Sequence, residues 1–134
     1  MNVRVPDYVV LVVEDLDRAL DFYTRVLELH LGHRSGPYAQ LDTGATRIAL
    51  YERAAMSSVL GRPLRAAHPD APAFELGFKV DDCAAAYSAL VQRGAAPVIE
   101  PTDRPWGQRT AYVADPDGYL VELAQDLRGA PTTP

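Results

Sequence analysis

The chain repeats itself, and that duplication constrains its fold more than any single motif does. Residues 8–13, YVVLVV, form a β-branched run, and EDLDRALDFYTRVLEL follows with Leu16, Leu20, Tyr23 and Leu27 at helical spacing. A strand followed by a helix is predicted, with Asp15 as N-cap and Gly32 near the point where the helix must stop. YAQLDTG and TRIALYE then read as a hairpin around Asp42 to Gly44. The pattern restarts with FELGFKV as a strand and DDCAAAYSALVQRGA as an Ala-rich helix stopped by Gly94. APVIEP, a connector through Trp106, QRTAYVA, the turn DPDG and YLVELAQ complete the second copy. Tyr8 aligns with Glu75, 67 positions on, which places Asp15 on Asp82 and Ala19 on Ala86. The hairpins align 73 positions apart, placing Asp42 on Asp115, Ile48 on Val121 and Leu50 on Leu123.

The expected architecture is α+β: two tandem βαβββ modules, 7–52 and 73–125, forming a curved, cup-shaped mixed sheet with helices on its outer face. The connection 53–72 carries Gly61, Pro63, Pro69 and Pro72 and reads as a linker or lid, with a helical turn from Met56 to Leu60. At 134 residues, 48% hydrophobic and 23% charged, the chain has the material for one globular domain spanning 1–134. A net charge of -5 without a basic cluster argues against nucleic acid. No apolar run reaches the ~20 residues that span a bilayer, and the N-terminus shows no signal-type segment. With a single cysteine, Cys83, no internal disulfide can form, and a cytoplasmic location is expected.

Period-2 alternation assigns faces. Ile48, Leu50, Val121 and Leu123 turn to the helices, so Arg47, Ala49, Tyr51, Leu120, Glu122 and Ala124 line the concave side. Glu75 and Glu122 are then inward carboxylates in an apolar cup. Either they receive a cationic or hydrogen-bond-donating ligand, or Arg47 and Lys79, which share the inward parity, neutralise them. If the two lie close together, burial and repulsion raise the pKa of one and fit it for proton transfer. Tyr8 and Tyr51 add inward aromatic faces, whereas Tyr38 and Tyr112 are assigned to packing. Trp106, in PWGQR, is exposed unless something covers it, and Gln108 or Arg109 is placed to orient polar groups of a ligand. DPDG is a structural turn, since the further ligands of a calcium loop are absent. Cys83, aligned with Leu16, is a small buried residue.

The stretches YVVLVVEDLDRALDFYTRVLEL, FELGFKVDD and DPDGYLVEL resemble the vicinal oxygen chelate superfamily of glyoxalases, extradiol dioxygenases and bleomycin-resistance-type binding proteins. The resemblance covers about Asp7 to Gln125. It implies a ligand cup, a homodimer that in some members exchanges halves, and four metal positions, which fall on Tyr8, Ala49, Glu75 and Glu122. It also implies that the Trp106–Gly107 segment lines a ligand groove. Ala49 offers no donor and Tyr8 only a phenol, so no metal or other cofactor is expected, and a divalent metal stands as the alternative. The leading expectation is metal-independent sequestration of a hydrophobic or aromatic small molecule, such as an antibiotic or natural product, by Tyr8, Arg47, Tyr51, Glu75, Trp106, Gln108, Arg109 and Glu122. The alternatives are a lyase, isomerase or ring-cleaving dioxygenase using Glu75 and Glu122 on a metal, a metal-free acid-base enzyme using the same pair, and a regulatory or purely structural partner.

Overall fold

The computed structural model describes residues 1–4, 6–71 and 73–127. The chain divides into two compact units, Met1–Ala67 and His68–Pro134. In the first, β1 (Tyr8–Val13) leads to α1 (Leu16–Asp21), which continues as a π-helical turn over Phe22–Val26; β2 (His30–Ser35), β3 (Tyr38–Asp42) and β4 (Arg47–Glu52) follow. The sheet order is β1-β4-β3-β2, with β1 parallel to β4 and the remaining pairs antiparallel. In the second, β5 (Glu75–Lys79), α3 (Cys83–Gln92), β6 (Ala96–Asp103), β7 (Gln108–Ala114) and β8 (Leu120–Asp126) make the same mixed sheet in the order β5-β8-β7-β6. The expected pair of βαβββ modules is therefore present.

Each unit buries its helix against one face of its own sheet. Leu11, Val13, Leu16, Tyr23, Leu41 and Leu50 fill the first core; Cys83, Leu90, Val113, Val121 and Leu123 fill the second. The two helices start in the same way. Asp15 accepts from the Arg18 amide at 3.1 Å, and Asp82 from the Ala85 amide at 3.0 Å. A side chain from the end of the fourth strand completes each cap: Glu52 accepts from Leu16 N–H at 3.3 Å, and Gln125 from Cys83 N–H at 2.9 Å. Cys83 is fully buried, its thiol pushed up in pKa by that burial, as a packing residue should be.

Several sequence expectations need correction. The first helix ends at Leu27, and the turn is made by Glu28 at a φ of 62°, not by Gly32, which lies inside β2. The strand itself, HLGHRS, is exposed throughout and carries no alternation to reveal it. In the connection, α2 occupies Arg53–Leu60, starting at the end of β4 rather than at Met56, and closes on Gly61 at a φ of 71°. Arg53 fixes it by a bidentate pair with Glu14, at 2.6 and 2.7 Å. Pro72, counted in that connection, lies outside the described residues. The second hairpin is one residue longer than the first: Leu41 pairs with Ile48, but Val113 with Val121. Glu122 is thus the counterpart of Ala49, while Tyr112 is the counterpart of Gln40.

Candidate functional site

The exposed face of the second sheet collects the carboxylates. Gly77 pairs with Glu122 across the parallel β5–β8 ladder, and Tyr112 pairs with Glu122 across the antiparallel β7–β8 ladder. All three share one face with Glu75, two residues before Gly77. The Tyr112 hydroxyl donates to Glu122 Oε2 at 2.7 Å. Glu75 lies beside this pair on the same face, where the charge of Glu122 acts on it. Gly77 makes the room: a Cβ there would stand 3.3 Å from Glu122 Oε1. Desolvation raises the Glu75 pKa, and the charge of Glu122 raises it further, against a smaller opposing effect of Tyr112. Burial and the hydrogen bond to Glu122 push the Tyr112 phenol up, so it stays a neutral donor.

A four-residue turn delivers the remaining parts. Gly107 N–H closes on the Arg104 carbonyl at 3.1 Å with a φ of 91°, and Pro105 occupies the second position, where its fixed φ suits a turn. Trp106 is consequently half-buried, not exposed as its loop setting suggested. Its indole N–H donates to Gln108 Oε1 at 2.9 Å, and Gln108 Nε2 donates to Asp126 Oδ1 at 3.0 Å. These two bonds fix the amide orientation, because only the oxygen can accept from an indole. Lys79 bonds the same Asp126 oxygen, which holds that carboxylate below its usual range. Arg104 lies along the sheet face with Nε donating to Thr110 Oγ1 at 2.8 Å.

A cavity of about 340 Å³ joins these groups. Glu75, Tyr112 and Arg104 supply its polar wall, and Val98, Ile99, Trp106 and Leu120 its apolar one. Glu122 is joined to it through the Tyr112 hydroxyl. A larger hollow of about 440 Å³ lies between Lys79–Asp81 and Gln125–Asp126. Its walls are mostly polar and already engaged in the Lys79–Asp126 pair, so the smaller cavity is the better receptor for an apolar ligand.

The first unit bears the other expected site residues on the corresponding face of its own sheet. Tyr8 pairs with Arg47, Ala49 with Gln40, and Tyr51 with Tyr38. Arg47 bonds Asp7 at 2.7 Å and Gln40 at 2.9 Å, and Gln40 in turn donates to the Tyr38 hydroxyl at 2.8 Å. The rings of Tyr38 and Tyr51 meet edge to face, 5.5 Å between centroids. Tyr8, half-exposed, and Ala49, buried, add no charged or imidazole donor to this face.

Within the second unit, Glu75, Trp106, Gln108 and Glu122 are brought together as expected. Arg109 is not: it points to the helix side of β7 and pairs with Asp103 at 2.6 Å, because it is one residue out of phase with Gln108 and Thr110. Arg47 and Lys79, whose parity suggested counter-ions for the carboxylates, form ion pairs with Asp7 and Asp126. Tyr112, set aside as a packing residue, is the hub of the group, and Arg104 was missed altogether.

The family model of the Glyoxalase/Bleomycin resistance protein/Dioxygenase superfamily matches residues 5–123. The chain belongs to this superfamily. It is 32% identical over 121 residues to the Bacillus subtilis protein YraH, covering 87% of this chain and 94% of that one. A glyoxalase/bleomycin resistance protein/dioxygenase from Nocardioides superposes with a TM-score of 0.84 at 24% identity, covering 100% and 91% of the two chains. TnmS3, an antibiotic binding protein from Streptomyces sp. CB03234, superposes with a TM-score of 0.68 at 25% identity over 94% and 98%. Of the four positions expected for the divalent metal that this superfamily implies, only Glu75 and Glu122 carry carboxylates. Among the described residues no group of three His, Cys, Asp or Glu side chains comes together, and the neutral Tyr112 phenol completes the carboxylate pair.

Proposed function

We propose that this glyoxalase-superfamily chain is a metal-independent small-molecule binding protein that holds a hydrophobic or aromatic compound, of the antibiotic or natural-product kind, against the exposed face of its second sheet. The observation that carries the reading is the cavity of about 340 Å³, lined by the apolar Val98, Ile99, Trp106 and Leu120 together with Glu75, Arg104 and Tyr112. Its size lies at the small end of ligand pockets, and an indole fixed by Gln108 offers a stacking surface that is already in place. The likeness to TnmS3 supports the same ligand class. Work as a cytoplasmic homodimer is part of the proposal.

The test combines metal content with thermal shift on the purified full chain, in zinc, nickel, manganese and iron, followed by titration with aromatic compounds while Trp106 fluorescence is read. The expected result is no metal-specific stabilisation and saturable quenching by one compound class. A tightly held ion, lost in Glu122→Gln, would overturn metal independence.

A second reading is acid-base catalysis without metal. It rests on Glu75, whose raised pKa makes it the proton carrier of the group, beside a Glu122 that Tyr112 holds as an acceptor. Turnover of a bound compound that disappears in Glu75→Gln while binding persists would select this reading over sequestration.

A further inference from the structure

Resting on the binding reading, we infer that the cavity of the second unit is bipolar: Glu75 receives a cationic or N–H-donating group, and Arg104 a carboxylate or other anionic oxygen, at opposite ends of one small aromatic ligand. Three observations carry this. Arg104 is half-buried, and its Nε is bound to Thr110, a residue with 0% exposure, at 2.8 Å. That bond fixes the guanidinium plane and leaves its two Nη groups as the donors available on the cavity side, a fork suited to a carboxylate. At the other end, Glu75 lines the cavity beside Tyr112, whose single hydroxyl proton is donated to Glu122 at 2.7 Å. An amine or amidine would supply the missing donors and charge.

Thr110, which anchors Arg104, and Tyr112, which bonds Glu122, are same-face neighbours two residues apart on β7. At ~3.4 Å per residue their backbones are about 7 Å apart, so the two ends of the cavity lie along one strand of the same face. Val98, Ile99, Leu120 and Trp106 supply the apolar contacts for an aromatic ring. The turn Arg104–Gly107 connects the two requirements, presenting the guanidinium and the indole from one rigid loop.

The test uses four isosteric probes: 4-(aminomethyl)benzoate, 4-methylbenzoate, 4-methylbenzylamine and the neutral 4-methylbenzyl alcohol. The chain has one tryptophan, so its single indole N–H resonance reports occupancy by NMR titration of the full chain. The expected order places the amino acid first, with an affinity about tenfold above that of the neutral alcohol. Arg104→Gln should abolish the preference for the two carboxylate-bearing probes and spare 4-methylbenzylamine. Glu75→Gln should do the reverse, and unchanged binding of the alcohol shows that each variant keeps the cavity. Equal affinities for all four probes, or equal losses in both variants, would overturn the bipolar assignment while leaving the binding reading in place. Failure of every probe, the alcohol included, to move the resonance would overturn both.

Discussion

Gly77 and Glu122 show how a residue with no side chain can decide the geometry of one that has a charge. The pair faces each other across β5 and β8, and the missing Cβ leaves Glu122 Oε1 its place at 3.3 Å. In strand terms glycine is the weaker choice, costing ~0.5–1 kcal/mol relative to alanine, so its presence points to a spatial demand. Gly77→Ala is therefore expected to leave the melting temperature unchanged or slightly higher. The same substitution should displace the Glu122 carboxylate by a few tenths of an ångström and weaken ligand binding several-fold. Thermal melts beside Trp106 titrations separate the two effects; a loss of stability with intact binding would refute the argument.

Glu75 makes a second prediction at this scale. Its folded pKa lies above the ordinary carboxyl value, so the native state holds this proton at a pH where the unfolded chain has released it. Stability from this group is present below the unfolded value and is lost as pH rises through the folded one. At pH 7 the ionised Glu75 is a net liability, and Glu75→Gln should raise the melting temperature by about 1–3 °C, a small gain because the side chain is largely exposed. The gain should shrink as pH falls into the carboxyl range. A gain that grows on acidification would mean that Glu75 is stabilised as an anion.

Among the elements, β8 carries the site, and the turn before it sets the strand's phase. Asp115 accepts from the Asp117 and Tyr119 amides at 2.9 and 2.8 Å, and Gly118 takes a φ of 91° where a Cβ would strike the Pro69 backbone at 2.8 Å. Gly118→Ala combines left-handed strain with that collision and should cost at least about 2 kcal/mol in denaturant unfolding. It should also loosen binding, because the pairing of Glu122 with Tyr112 depends on this loop. A near-neutral Gly118→Ala would show that the turn does not hold the strand. By contrast, Asp82→Ala should cost about 1 kcal/mol as an ordinary helix cap and leave binding unchanged. Selective loss of binding in this variant would tie α3 to the site.

The same elements show what the sequence could reveal. Duplication, helix caps and core faces are legible because burial imposes periodicity on Leu11, Leu50, Val121 and Leu123. The β2 strand is not, since a fully exposed strand is under no such pressure. Parity placed Glu75 and Glu122 together, but Tyr112 needed the length of the second hairpin, one residue beyond that of the first. Arg104 comes from a turn, where no period operates, and Arg109 looked suitable only through its closeness in sequence to Trp106.

At the scale of the molecule, the question is how the chain associates. Of the four edge strands, two are poor surfaces for strand-to-strand pairing: β2 carries Arg34 and a bulge, and β6 carries Pro97, Pro101 and two irregularities of register. Association through β2 or β6 is therefore disfavoured, and the proposed homodimer is expected to bury apolar side chains instead. The C-terminal end of α2 supplies a pair of them: Val59 is 71% and Leu60 47% exposed, on a helix with no buried residue. Sedimentation equilibrium of the full chain is expected to give about twice the 14.6 kDa of one protomer. Replacing Val59 and Leu60 together by glutamate should shift the mass towards one protomer, because two carboxylates per chain would have to be desolvated at the contact. A dimer that ignores this substitution would move the interface elsewhere, and a wild-type chain that sediments as a monomer at tens of micromolar would remove the dimer from the proposal.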